Sequence, residues 1–477
     1  MKMNREFYLD RVRACFLGKN IGGTMGAPYE GQREMQNIDG YNSPKGEPLP
    51  NDDLDLQLVW LAALEARGVR GVDASVLAEY WISGVPPHWN EYGIGKGNLA
   101  RGVFPPYSGE YHNEKWKHSN GAWIRTELWA TLFPGYPEAA VHYAYMDAIV
   151  DHGHGEGTPA AIFVAALESM AFFETDIRKL IDRALTFIEE DSRVARCVRM
   201  AVSLYDEGKS LADARNAIVS ECADLGWFQA PANVAFVILG LLYGEGDYKK
   251  SMLAAINCGD DTDCTGATIG SIMGLMGGTA CVPPDWAEYI GDRIVTAATN
   301  ASMYYLPKSC TELTQRIYEL MPSAMKSFGA YTEYTDGATD GEVTVSPILA
   351  RHKDILFPRM HSGYCVPMPD MVFARGSAEV SRICVAKGDT VTLTVRFENM
   401  VSDCYLMSVE IKVPEGFSAD ATEKGIHLDE WHNRRVGEAV FTLTAEEAPK
   451  LDNVIEIKAR VQGRVHVSYA EVHLFNS

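Results

Sequence analysis

Two short acidic runs hold most of the chemistry this sequence can offer. They are Asn51-Asp52-Asp53-Leu54-Asp55 and Gly259-Asp260-Asp261-Thr262-Asp263-Cys264. Asn is a favoured helix N-cap and acidic side chains in a first turn suit the helix dipole, so the first run also reads as a plain helix start. The second puts three carboxylates in four residues, one more than capping needs. Neither run has His or Cys partners at ligand spacing, and oxygen-rich sites of this kind suit hard cations such as magnesium, manganese or calcium rather than zinc. An EF-hand reading of the second run fails, because its twelfth position from Asp261 is Ile272, where a bidentate Glu is required. A third stretch, 81–156, carries Trp81, Trp89, Tyr92, Phe104, Tyr107, Tyr111, Trp116 and Trp123 among Gly, Pro and Asn, and reads as loop. Aromatic rings there could stack on a base or sugar, or equally pin a long loop onto the core. Asp151-His152-Gly153-His154 closes the stretch; glycine-flanked His near a helix start is more often a polar pocket residue than a ligand.

These runs need elements to hold them. Up to about residue 325 the apolar pattern is helical: Tyr8, Val12, Cys15 and Phe16 mark one face, and Leu54, Leu58, Leu61 and Ala62 another. Gly18, Gly22 and Gly26 lie four apart, as do Gly266, Gly270, Gly274 and Gly278. Each helical glycine costs roughly 1 kcal/mol against Ala, so such ladders need a packing reason, the close approach of another backbone. Residues 326–345 are rich in turn formers and read as a junction. From 346 to 477 the period changes to two. Val391, Leu393, Val395 and Phe397 alternate with polar residues, as do Ile455, Ile457, Ala459 and Val461, and then Val465, Val467 and Tyr469. Short strands with turns at Lys387-Gly388-Asp389 and Pro414-Glu415-Gly416 indicate an immunoglobulin-like β-sandwich. No catalytic cluster stands out in it, and interaction, homo-oligomerisation or packing support are its expected roles.

The 477 residues include 43 basic and 64 acidic ones, a net charge of −21. Such a chain repels phosphate backbones, which excludes nucleic-acid binding through a broad basic face. At 47% hydrophobic and 22% charged residues it is an ordinary globular composition. Neither a secretory signal nor a membrane-spanning helix is evident, and ten scattered cysteines without CxxC pairs fit reduced thiols, so a soluble, cytoplasmic protein is expected.

Taken in order, several segments resemble the ADP-ribosylglycohydrolase family, which includes the J1-crystallins, over about residues 10–290. Arg13-Ala-Cys-Phe-Leu-Gly18, then Gly22 and Gly26-Ala-Pro-Tyr-Glu30, resembles the family's opening helix and following glutamate. Asn51-Asp52-Asp53 sits where the family has Thr-Asp-Asp, and Asn120-Gly121 to Arg125 resembles its Asn-Gly-x-x-Met-Arg segment. Asp151-His152 matches a Thr-His pair, and Gly259-Asp260-Asp261-Thr262-Asp263-Cys264 matches Gly-Gly-Asp-Thr-Asp-Thr. The resemblance implies an all-α catalytic domain over residues 1–325 and a pair of Mg²⁺ ions, or Mn²⁺. Asp52, Asp53, Asp261 and Asp263 carry over as ligands, and the two threonine ligands fall on Asn51 and Cys264. Asn51 still offers a carbonyl oxygen, whereas sulfur is too soft for Mg²⁺.

The activity implied is cleavage of the ribosyl bond of a small-molecule or protein-linked ADP-ribosyl conjugate. Asp261 or else Glu30 would act as base, with Asn120, Gly121 and His152 as substrate contacts. Two other readings stand beside it: a hydrolase of another N- or O-glycoside on the same fold, and a catalytically silent, crystallin-like binding protein.

Overall fold

Asn4 accepts the amide of Phe7 at 2.8 Å and so starts the first helix, Arg5–Gly26. Its expected apolar face is real: Tyr8, Val12, Cys15 and Phe16 are wholly buried. The computed structural model describes residues 1–339, 365–369, 371, 374–401, 403–429 and 434–476. The chain divides into two units, one of Met1–Arg101 with Ser108–Leu349, the other of Gly102–Tyr107 with Ala350–Ser477. The first is helical, with sixteen α-helices among the described residues. The second is β-rich.

The glycine ladders find their reason in each other. A Cβ at Gly18, Gly22 or Gly26 would strike the backbone of Gly270, Gly266 or Thr262, and one at Gly274 would strike Ala14. The first helix and the helix Thr262–Gly277 therefore lie backbone to backbone along one seam. Gly278 does not belong to the ladder. Its φ of +70° ends the helix, and its amide bonds the Gly274 carbonyl at 2.7 Å.

Strand β1 (Lys2–Asn4) pairs in parallel with β2 (Glu333–Thr335), just beyond the last helix, Cys310–Ser327. The turn-rich segment 326–345 thus opens with a helix end and a strand; 340–345 lie outside the described residues. The stretch 81–156 is less loop-like than its composition implied. Trp81 lies in the helix Ala74–Gly84 and Tyr92 in the helix Asn90–Leu99. Short amphipathic turns held by tertiary packing override Gly and Asn propensity there.

The second unit contains β3 (Cys365–Met368), β4 (Ala374–Val380), β5 (Cys384–Val385), β6 (Thr390–Asn399), β7 (Cys404–Lys412), β8 (Phe417–Ala419), β9 (Glu423–Asp429), β10 (Val436–Ala445), β11 (Asp452–Val461) and β12 (Val467–Asn476). They form two five-stranded sheets, β3-β4-β6-β10-β8 and β5-β12-β11-β7-β9. Val391, Leu393, Val395 and Phe397 of β6 are buried, as are Ile455, Ile457, Ala459 and Val461 of β11, so each sheet hides one face. The anticipated strand after Gly463 has the right period and the opposite phase. Val465, Val467 and Tyr469 face solvent, and Ser468, Ala470, Val472 and Leu474 face the core. A β-rich unit of two sheets is what the fold establishes; its immunoglobulin-like character is not established by the strand order. No helix among the described residues is long and apolar enough to cross a membrane.

Candidate active site and carboxylate cluster

Both acidic runs open helices. Asn51 is the N-cap of the helix Asp52–Arg67: its Oδ1 accepts the Asp53 amide at 2.8 Å, which fixes where Asp52 and Asp53 begin. Asp261 stands immediately before the helix Thr262–Gly277. The turn ahead of it is tight, with Gly259 at φ +76° and Asp260 at φ +59°. Left-handed backbone is costly for a residue with a side chain. Paired backbone bonds hold it there: Gly31 donates to Asp260 at 2.9 Å and Asp260 donates to Gln32 at 2.9 Å. The same bonds pin the segment carrying Glu30 beside Asp261. Asp260 itself turns to Arg33 (3.6 Å) and Arg215 (3.7 Å), so this third carboxylate of the run has a structural partner set.

What the two runs and Glu30 bring together is a carboxylate cluster. Ligand-type oxygens of Glu30, Asp261 and Asp263 lie within 4.8 Å of one another, as do ligand atoms of Asp53, Asp263 and Cys264. Asp53 and Asp261 are wholly buried and Asp263 nearly so, while Glu30 reaches solvent. Asp52 is half-buried and accepts the Tyr92 hydroxyl at 2.7 Å.

The electrostatics are those of a crowded anionic site. Burial, then mutual repulsion, lifts Asp53 and Asp261 well above the ordinary carboxylate range. Burial raises Asp263 as well. Glu30 is pushed up to about 8 by partial burial beside Asp263 and Asp52. Asp53 Oδ2, Asp261 Oδ1 and Asp263 Oδ1 are buried without a hydrogen-bond partner. Orphaned carboxylate oxygens of this kind fit a hard divalent cation, which would supply the missing contacts and the missing charge. Cys264 does not fit one. Burial keeps its thiol protonated, and the thiol leans on Asp53 Oδ1 at 3.5 Å.

Lys19 was not legible as part of this site. It is wholly buried mid-helix, bonds Glu127 at 2.7 Å, and sits 3.6 Å from Asp53 Oδ2. Burial opposes its charge, yet Glu127 and Asp53 hold it above the normal lysine range. Gln57 completes the network, donating to Glu127 at 2.8 Å and to the Asp53 carbonyl at 2.9 Å. Asp53 thus already has a cation beside it, and among the described residues Asp261 and Asp263 do not.

The other anticipated contacts sit behind the cluster. Asn120 is wholly buried; its amide donates to Asp261 Oδ2 at 2.6 Å and its Oδ1 accepts from the Trp123 indole at 2.9 Å. Gly121 leaves room for Glu91 and His152, since a Cβ there would meet both. His152 is buried between Ser119 (3.1 Å) and Asp151 (2.9 Å). Arg125 bridges Asp147 and Asp151 at 2.9 and 2.8 Å and lies over the Trp81 ring. Together they form a rigid buried platform.

A cavity of about 350 Å³ opens onto the cluster, lined by Glu30, Asp52 and Asp263, with Trp89, Tyr92, Trp227 and Phe228 among its walls. Of the aromatic stretch, Trp89 and Tyr92 reach this wall, whereas Trp81, Tyr107 and Trp123 are core. Trp227 and Phe228, over a hundred residues on, complete the wall; nothing in their local sequence marked them. Glu91 also lines the cavity, buried, with one oxygen unpartnered and its carboxyl pushed up to about 8 by burial and by Asp151.

Over 327 residues the chain is 23% identical to an uncharacterized protein of Archaeoglobus fulgidus, covering 64% of this chain and 99% of that one. A solved ADP-ribosylglycohydrolase-related protein complex aligns with 66% of this chain and 99% of its own, at 21% identity and a TM-score of 0.43. The family model for ADP-ribosylglycohydrolase matches residues 4–323, two thirds of the sequence, and the chain belongs to the ADP-ribosylglycohydrolase family.

Proposed function

We propose that the helical unit is a divalent-cation-dependent glycohydrolase that cleaves the ribosyl bond of an ADP-ribosyl conjugate. The observation that carries this is the cluster of Glu30, Asp261 and Asp263, of which Glu30 and Asp263, together with Asp52, line an aromatic-walled cavity. Asp261, Asp263 and Glu30 would hold the cation, with Asp52 beside them. A bound divalent cation supplies positive charge to fix sugar hydroxyls and to ease deprotonation of a water. The chain's own groups do the rest. Asn120 orients Asp261, the aromatic walls hold the flat parts of the substrate by stacking, and Asp261 or Glu30 accepts the proton of the attacking water. Glycoside cleavage develops oxocarbenium character and also needs a proton on the leaving atom. Glu91, on the same cavity wall with its carboxyl pushed up to about 8 by burial, would give it.

A second reading has its own observation. Among the described residues, the cavity lining holds four carboxylic acids, Glu30, Asp52, Glu91 and Asp263, and no lysine or arginine. A neutral N- or O-glycoside suits such a wall better than a diphosphate does, unless the cation and helix N-termini supply the positive potential.

Calorimetric titration with Mg²⁺ and Mn²⁺, with parallel assays on ADP-ribosyl-arginine, ADP-ribosyl-serine and plain glycosides, separates the readings. Turnover of ADP-ribosyl substrates, abolished in Asp261→Asn, is expected. Turnover of plain glycosides alone favours the second reading, and absence of any cation binding sinks both.

A further inference from the structure

In the second unit β7 and β9 run antiparallel with Cys404 opposite Asp429 and Leu406 opposite His427. Residues two apart on a strand share a face, so Cys404, His427 and Asp429 stand on the same side of the sheet. Cys404 Sγ lies 3.1 Å from a ring nitrogen of His427, Nε2. One ligand atom from each of the three lies within 4.8 Å of the other two. In a tetrahedral site with metal bonds of about 2.0–2.3 Å, neighbouring ligand atoms stand about 3.3–3.8 Å apart, so little movement is needed to close on an ion.

We propose that Cys404, His427 and Asp429 form a zinc-binding site in the β-rich unit, separate in chemistry from the carboxylate cluster. A soft thiolate with a borderline imidazole selects zinc over the hard cations that an all-oxygen cluster favours. Thiolate and carboxylate together neutralise the ion, and three protein ligands leave the fourth tetrahedral position to water. Cys404 is exposed, so a metal ion reaches it from solvent. β9 is the last strand of its sheet. A metal bridging β9 to β7 would staple an edge strand, the part of a sheet most prone to come away or pair wrongly.

Cobalt(II) is a spectroscopic stand-in for zinc and reports thiolate ligation directly. Titrating the reduced, metal-free full-length protein with Co²⁺ should give a thiolate-to-cobalt charge-transfer band and tetrahedral d–d bands, both abolished by stoichiometric Zn²⁺. The band should survive Cys264→Ser, which removes the thiol of the carboxylate cluster, and vanish in Cys404→Ser. His427→Ala, which keeps the thiol, should weaken Co²⁺ binding by about tenfold or more. A wild-type protein without the band, or a band that persists in Cys404→Ser, overturns the proposal and leaves a simple thiol–imidazole hydrogen bond.

Discussion

Lys19 makes a sharp test of how the carboxylate cluster shares its charge. Its ammonium lies 3.6 Å from Asp53 Oδ2 and 2.7 Å from Glu127 Oε1, with no solvent access. At that distance Coulomb attraction to Asp53 is about 4–5 kcal/mol for an effective dielectric of ~20, and about 1 kcal/mol in water. A second cation entering beside Asp53, Asp263 and Cys264 must share Asp53 with this fixed charge, so the structure predicts that cations favour the Glu30–Asp261–Asp263 side. Lys19→Met alone would strand Glu127 as a buried unpaired anion, at a cost of about 3–5 kcal/mol. Lys19→Met with Glu127→Gln removes both charges and keeps the shape. Calorimetric Mn²⁺ titration of that double variant should show either added stoichiometry or affinity raised by about tenfold or more, given even a small part of the Coulomb energy. An isotherm that superimposes on the wild type refutes the idea that Lys19 occupies the electrostatic place of a cation.

In the metal-free protein Glu30 and Glu91 hold protons up to about pH 8 and Asp55 to about 7, all raised by burial, whereas an unfolded chain releases them near 4. The native state therefore binds more protons between these limits, and stability should fall as pH rises from about 5 to 8, by at most about 1.4 kcal/mol per pH unit for each group. Scanning calorimetry in chelator should show the decline and Mn²⁺ should flatten it; a melting temperature that rises with pH contradicts the burial argument. Along the helix seam, Gly22→Ala drives a methyl into the Gly266 carbonyl, and backbone cannot step aside as a side chain would. The expected cost of about 1–3 kcal/mol outweighs the ~1 kcal/mol gain in helix propensity. Gly97→Ala, a helical glycine with open space around it, should be neutral or stabilising in the same urea denaturation assay.

Much of the helical unit was legible because its signals are local. The faces of Tyr8–Phe16 and Leu54–Leu61 follow from period, and both acidic runs sit at helix starts, the first with Asn51 as a capping side chain. The glycine ladders announced a close approach, though only the fold shows that each ladder is the other's partner. What stayed hidden depends on distance along the chain. Lys19 meets Glu127 across more than a hundred residues, and Trp227 joins Trp89 on one wall only after many helices intervene. Glu30 came from resemblance rather than from its surroundings, which are plain in sequence. Cys404 and His427 lie 23 positions apart, a spacing that fits no ligand motif and becomes close only through strand register. The misplaced phase of β12 has the same origin: alternation shows that a strand exists, and only its partner decides which side is inside.

The seam between the first helix and the helix Thr262–Gly277 also sets an order of events. Its two halves are separated by some 250 residues of sequence, so the contact closes one of the longest loops in the unit. Contacts of such separation form slowly, since the chain's entropy must be lost before they repay it. During synthesis the opening glycine helix emerges long before anything can cover its ladder. Asp261 and Asp263, which ride on the late partner, arrive with the seam itself. On the proposed function, cation affinity at Glu30, Asp261 and Asp263 would therefore mature late, and its appearance in a refolding experiment would time the closing of the helical unit.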